Sequence, residues 1–370
     1  MTFVGIDLHT NKFTCCYRNE KPSNEEKDSK RIETFELTAI GLDQFYKTLT
    51  EDTYVLLEAT ITSFSFVRLI QPKVKEVIVA NTYELKQISF ARNKTDKIDA
   101  DKLCRILKMQ VLSGEKAIFP VTVPPVEIQE LRGLFSTYRL LKKQSTQFKN
   151  RIHSLLKENL YGLTQEQIFG KSSRKKIREI TTDPVLKFQI NHLFELLENL
   201  EAGIETLEEK IKERAVPFMR EIEILTSMKG ISVLIAIAII SDIISVDRFK
   251  NSKSFTSYLR SAPRVESSNT TKGNKGTNKK GRKLSATLIT QVLYHILDAS
   301  PKLDKWYTRL TRYKKAGLVR TGLRRRVFSE LYQMLKKREY HYGRDIKKHG
   351  EKIFQYKKLL EKRNILLKSA

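Results

Sequence analysis

The sequence predicts an α/β layer at the N-terminal end followed by a long succession of helices. Three observations lead there. Up to about residue 110, short β-rich runs alternate with helical spacing; beyond that, apolar residues recur at helical intervals; and a Pro-rich break, IFPVTVPPVEIQ, separates the two regimes. TFVGIDL and KFTCCYR are β-rich runs separated by HTN, which reads as a hairpin turn, and RIETFEL is a third, alternating strand. AIGLDQFYKTLT carries Leu42, Phe45, Tyr46 and Leu49 at helical spacing. YVLLEA is a fourth strand, SFSFVRLIQP a helix that Pro72 ends, and EVIVAN a fifth strand. YELKQISFAR and KIDADKLCRILKMQVL read as helical. Three strands, a helix, then alternating strand and helix is the order of an RNase H-like layer, a mixed sheet covered on both faces; a doubly wound domain fits the same pattern.

Past the break, EIQELRGLFSTYRLLKKQSTQFKNRIHSLLKENL is long and amphipathic, and NHLFELLENLEAGIETLEEKIKERA has heptad-like apolar spacing. Joined by the basic GKSSRKKIRE, the two read either as an antiparallel coiled-coil arm for dimerisation or as a helical hairpin packed on its own domain. From about 220 the helices continue through EIEILTSMKGISVLIAIAIISDI, SKSFTSYLR, KLSATLITQVLYHILD, PKLDKWYTRLTRYKK and RRRVFSELYQMLKK. SMKGISVLIAIAI looks like a helix-hairpin-helix turn with Gly230 at the bend. Such turns offer N–H groups to a phosphate, and small helical domains also use them structurally. The expected division is 1–115 for the α/β domain, 116–217 for the linker and arm, 218–345 for a helical domain and 346–370 for a basic C-terminal helix.

Hydrophobic residues make up 40% of the 370 positions and charged residues 30%, enough for a packed core and against global disorder. Lys and Arg number 69 against 42 acids, and the resulting +27 attracts polyanions. Nucleic acid is the favoured partner. A membrane is disfavoured, since no apolar run approaches about twenty residues; ISVLIAIAIISDII reads as a buried helix. The start, MTFVGIDLHT, is a strand containing an acid rather than a signal peptide. Cys15 and Cys16 are adjacent, Cys104 is far away and no C-x-x-C exists, which argues against zinc and a disulfide framework and fits a reducing cytoplasm.

Against this basic background NKTDKIDADKL, Asn93 to Leu103, gathers three carboxylates. They are either a solvated helix face with weak i,i+3 and i,i+4 pairs or ligands of metal ions that meet phosphates. Partners for the second reading exist. Asp7 ends the apolar strand FVGID, where an unpaired carboxylate is costly. Glu58 closes YVLLE, and adjacent strand ends of an α/β layer come together. Asp96 and Asp99, three apart, share a helix face, whereas Asp101 faces elsewhere and reads as the solvated member. Two-metal phosphoryl chemistry requires such convergence, with ions about 3.5–4 Å apart, and Mg²⁺ prefers oxygen ligands.

A second unusual stretch runs from Tyr258 to Leu288, rich in Ser, Thr, Asn, Gly and Lys and almost free of acid. It is either a flexible solvated loop or one lying on a phosphate backbone, with Lys272, Lys275, Lys279, Lys280, Arg282 and Lys283 neutralising charge. It is not a Walker loop. Ser267 and Ser268 offer hydroxyls, weak nucleophiles that require a base or a metal, and no His lies nearby in sequence. In GLVRTGLRRRVFSELYQMLKKREY the charges either sit on a solvated face or, at Arg324, Arg325 and Arg326, track a phosphate backbone. Trp306, with Tyr307, is either core or a stacking platform for a base.

Taken in order, FVGIDLH, LLEAT, KTDKIDADKL, SMKGISVLIAIAIISDI, RFKNSKSFTSYL, APRVESSN with NKKG, and SPKLDKWYTRL resemble the DEDD transposases of bacterial insertion sequences in the IS-one-ten group, relatives of the Piv-type DNA invertases. The match runs over nearly the whole chain. The resemblance implies a RuvC-like RNase H fold whose acidic tetrad, Asp7, Glu58, Asp96 and Asp99, binds Mg²⁺ (or Mn²⁺). It implies a recombinase that cuts and rejoins donor and target DNA. The family's nucleophilic serine, in a P-x-x-x-x-S-G context, falls on Ser268, with Asn269 in place of the Gly and Ser267 just before. Lys279 and Gly281 match the family's K-x-G turn, but the Arg of its L-R pair is replaced, since Leu284 is followed by Ser285. In the implied mechanism Ser268 attacks a phosphodiester to form a phosphoserine link, metals stabilise the transition-state charge, and the strands are exchanged and rejoined. The resemblance further implies a coiled-coil-held dimer, a tetramer at synapsis, sites shared across subunits, a non-coding guide RNA, and a cytoplasmic, nucleoid-associated location. The rival expectations are a metal-dependent junction-resolving nuclease that uses water, with Ser268 idle, and a non-catalytic nucleic-acid scaffold.

Overall fold

The computed structural model describes residues 1–20, 30–81, 95–268, 271–277 and 280–362, with backbone alone for Lys171 and residues 264–268 and 271–277. The chain divides into two compact units, Met1–Pro124 and Pro125–Ala370.

The first unit is built on a five-stranded mixed sheet. β1 (Thr2–Leu8), β2 (Lys12–Asn19) and β3 (Arg31–Glu36) form an antiparallel meander. After α1 (Ala39–Tyr46), β4 (Thr53–Glu58) lies parallel to β1; after α2 (Ser63–Ile70), β5 (Glu76–Ala80) lies parallel to β4. The order is β3-β2-β1-β4-β5, consistent with an RNase H-like layer. The predicted helix YELKQISFAR lies outside the described residues. Helix α3 (Asp96–Ser113) starts at Thr95, whose hydroxyl accepts from the Ile98 N–H at 3.3 Å, and ends at Gly114 in the left-handed conformation.

Because side chains alternate along a strand, β1 feeds two cores. Val4, Ile6 and Leu8 pack with Phe13, Val55 and Leu57 against Phe45 of α1 and Phe66 of α2. On the other face Phe3, Cys16 and Leu56 meet Ala100, Leu103, Cys104 and Leu107 of α3. Gly5 permits that second contact: a Cβ there would stand 2.3 Å from the Ala100 carbonyl oxygen and the Cys104 nitrogen. All three cysteines are buried free thiols.

Asp101 corrects an expectation. It does face away from the other two acids of its helix, yet it is 8% exposed rather than solvated. Arg18 of β2, itself buried, donates to its Oδ1 through Nη2 at 2.7 Å, and Cys16 Sγ lies 3.4 Å away. The face it occupies is the one pressed on the sheet, and the neutralising arginine comes from a strand about eighty positions earlier, which helix spacing does not reveal.

In the second unit, α4 (Val126–Glu158) and α7 (Pro184–Arg214) pair antiparallel. Glu130 meets Arg214, Tyr138 donates to Glu208 at 3.1 Å, and Lys149 meets Glu201 at 3.0 Å. At the base of this hairpin, Leu131, Phe135 and Ile211 join the main helical core. At its far end, Ile152, Leu156, Phe194 and Leu197 enclose a separate small core with Ile168 of α5 (Gln165–Phe169) and Ile177 of α6 (Lys171–Ile180). α8 (Met219–Thr226) and α9 (Val233–Ile243) flank the predicted bend, where Gly230 has φ +92°. The most apolar run is indeed a buried helix, α9, and among the described residues no helix is long and apolar enough to cross a membrane.

After α10 (Ser252–Tyr258), the polar stretch read as a loop is a β-ribbon: β6 (Pro263–Ser268) pairs antiparallel with β7 (Thr271–Thr277). Main-chain ladder bonds make such a ribbon without apolar alternation, so composition gave no sign of it. Its return is pinned at Gly281, φ +97°, where a Cβ would lie 2.2 Å from the Tyr258 carbonyl oxygen. α11 (Leu284–Leu297), α12 (Pro301–Thr311), α13 (Ala316–Lys337) and α14 (Ile346–Lys362) complete the unit. Trp306 sits half-buried at the core edge, against Gly322, with the Arg326 guanidinium 4.4 Å from its ring centre.

Candidate functional site

Parallel pairing places Ile6 opposite Leu57, so Asp7 and Glu58 occupy the next rung at the C-terminal ends of β1 and β4. By alternation both belong to the face of Gly5 and Leu56, the face on which α3 packs. The first turn of α3, carrying Asp96 and Asp99, therefore hangs over the same sheet edge. Asp7 Oδ2 is 3.2 Å from His9 Nε2, and that nitrogen is 3.3 Å from Asp96 Oδ1. One ligand atom from each of Asp7, His9 and Asp96 lies within 4.8 Å of the others. Lys12 Nζ holds the remaining Asp96 oxygen at 2.9 Å, and Lys102 Nζ approaches Asp99 at 3.5 Å. Glu58 is half-buried.

Electrostatics act on the two acids of the edge in opposite directions. Burial raises the pKa of Asp7; His9 works against this, while Asp96 and Asp99 push it further up. The Asp96 carboxyl is held below its usual range, first by the Lys12 hydrogen bond. Hard carboxylate oxygens that crowd one another and gain from a cation form a donor set that fits Mg²⁺ or Mn²⁺. His9 and Lys12 escaped sequence reasoning because HTN registered only as a turn. The available signal was that this turn folds the chain back directly beside Asp7, where the His9 N–H donates to the Lys12 carbonyl at 3.0 Å.

A DEDD transposase family model matches residues 4–160, and a second, described as "Transposase IS116/IS110/IS902 family", matches residues 222–308. The chain belongs to the IS110 family of transposases. It is thus a DNA-cutting and DNA-joining enzyme, and its DEDD domain implies divalent-metal use. No curated protein matches the chain. The first match spans Asp7, His9, Glu58, Asp96 and Asp99; the second spans the ribbon with Ser268.

In this transposase the residues expected to meet nucleic acid fall into three groups. Lys280, Lys283, Arg325 and Arg326 are exposed. The side chains of Ser267, Ser268, Lys272 and Lys275, and Lys279 entirely, lie outside the described residues; the Ser268 backbone closes β6 opposite Thr271. Arg282 and Arg324, both partly buried, have internal hydrogen-bond partners. Arg282 Nε donates at 2.9 Å to Asp242, a fully buried carboxylate at the end of α9. Arg324 donates at 3.0 Å each to Ser261 Oγ, Thr290 Oγ1 and the Arg260 carbonyl. Asp242 also receives the N–H and hydroxyl of Ser285, at 2.9 and 2.7 Å. The position where an arginine was expected thus carries a serine that satisfies a buried acid at the start of α11.

Proposed function

We propose that this transposase cleaves DNA with Ser268 as nucleophile, assisted by a divalent-metal centre on Asp7, Glu58, Asp96 and Asp99, within an RNA-guided assembly. The observation that carries the reading is the gathering of Asp7 and Asp96 at one sheet edge, with Asp99 in the same helical turn and Glu58 on the same rung as Asp7. Mg²⁺ or Mn²⁺ bound there would supply positive charge for the transition state and the leaving oxygen. Lys12 orients Asp96 by holding its outer oxygen. Lys280, Lys283, Arg325 and Arg326 are placed to neutralise DNA phosphates. The Ser268 oxygen forms a bond to phosphorus, the P–O3′ bond breaks, and the hydroxyl proton passes to the departing 3′ oxygen. The phosphoserine ester retains the bond energy, so the reverse attack by another 3′ hydroxyl rejoins DNA without net hydrolysis.

The finer assignments rest on the family resemblance. They are a RuvC-like domain at 1–115, the α4–α7 hairpin as a coiled-coil dimerisation arm within 116–217, the serine-bearing helical domain at 218–345 and the basic helix at 346–370. A dimer that becomes a tetramer at synapsis, a guide RNA and a nucleoid location in the cytoplasm belong to the same reading. Incubation with labelled element-end DNA and Mg²⁺, quenched in detergent, tests the chemistry. A denaturation-resistant protein–DNA adduct is expected, lost in Ser268→Ala and in Asp7→Asn. Cleavage by Ser268→Ala without an adduct would instead establish a nuclease that uses water. Sequencing of RNA that co-purifies with the protein tests the guide.

A further inference from the structure

We infer that His9 is a nitrogen ligand of the metal centre and makes the centre prefer Mn²⁺ to Mg²⁺. This rests on the reading of the acidic edge as a metal site and adds a member outside the acidic tetrad. His9 Nε2 stands between carboxylates from two different elements, 3.2 Å from one and 3.3 Å from the other. Ligands at adjacent corners of an octahedral ion with bonds of about 2.1 Å are separated by about 3.0 Å. His9 Nε2 already stands from each carboxylate oxygen at close to that separation, and the two carboxylates offer ligand atoms within 4.8 Å of one another. A single Nε2–H can be directed well at only one of two oxygens, whereas a cation among the three atoms satisfies all of them. The ring is carried on a tight turn, tied by the His9–Lys12 backbone bond, between strands in strict register. Lys12 occupies the outer oxygen of Asp96, which leaves Oδ1 for the cluster.

The donor type then decides the ion. Mg²⁺ favours all-oxygen surroundings and sheds water reluctantly. Mn²⁺ suits carboxylates as Mg²⁺ does, and as a first-row transition ion it binds a nitrogen donor more readily than Mg²⁺. Oxygen-only coordination by the tetrad gives no such discrimination; one added nitrogen does.

The test uses the full-length, metal-stripped protein with MnCl₂ and MgCl₂ as probes. Pulsed electron paramagnetic resonance of the Mn²⁺ complex should show coupling to a directly coordinated imidazole ¹⁴N in the wild type and none in His9→Gln. By calorimetry, His9→Gln should lower Mn²⁺ affinity about tenfold or more, a typical scale for perturbing a metal's coordination environment, and change Mg²⁺ affinity far less. A circular-dichroism melt matching the wild type shows that the variant folds. Mn²⁺ bound by the wild type without ¹⁴N coupling, or with coupling that persists in His9→Gln, overturns the role of His9 and leaves the acidic centre standing. Absence of Mn²⁺ binding by the wild type, unchanged in Asp7→Asn, overturns the centre itself.

Discussion

Asp99 and Asp101 are two positions apart on α3 and meet opposite surroundings. Asp99 belongs to the acidic edge, whereas Asp101 is buried against Arg18. Burial alone would raise the Asp101 pKa, but the hydrogen bond and charge of Arg18 overcome it, and the carboxyl is held below its usual range. A depressed acid contributes stability that is fully present above its unfolded pKa of about 3.9 and is lost as pH falls through the lower folded value. Asp101→Ala leaves the Arg18 guanidinium without its carboxylate, at a cost of about 3–5 kcal/mol near pH 7. Denaturant unfolding of both proteins at stepped pH should show the gap narrowing once pH drops below about 4.

At the scale of elements, the acidic edge depends on how closely α3 lies on β1. Gly5 sets that distance, since an added Cβ would meet helix backbone, which cannot swing aside as a side chain does. Gly5→Ala should destabilise the first unit by about 1–3 kcal/mol. It should also weaken Mn²⁺ binding, because displacement of α3 moves Asp96 and Asp99 away from Asp7. A lowered melting temperature with unaltered metal affinity would show that the edge does not depend on this packing. In the second unit, the Asp242–Ser285–Arg282 cluster joins the end of α9 to the start of α11 beside the base of the ribbon.

For the whole molecule the governing quantity is charge. An excess of +27 makes DNA affinity steeply dependent on salt. Replacing Lys280 and Lys283 with Ala should weaken binding uniformly across DNA sequences and flatten the log–log salt slope by about one for each phosphate that is no longer neutralised. Fluorescence anisotropy over a salt series measures this. Arg324→Ala should leave that slope in place and lower stability instead, because its guanidinium is held by internal partners. The acidic edge and the ribbon lie in different compact units, so each can be probed by substitutions confined to its own unit.

Periodicity and strand order by themselves determined the mixed sheet, the long helical pair, the buried α9 and the placement of Asp7 and Glu58 at strand ends. Each of these follows from which face of a local element is apolar, and that is written in consecutive residues. What only the tertiary structure decided is which group stands opposite: Arg18 against Asp101, His9 and Lys12 against Asp96, Asp242 against Arg282 and Ser285, and β6 against β7. Apart from the β6–β7 ribbon, whose strands adjoin in sequence, those pairings come from strand register and helix docking between segments far apart in the chain. Local spacing shows the face a side chain presents and carries no record of the partner that folding brings to it.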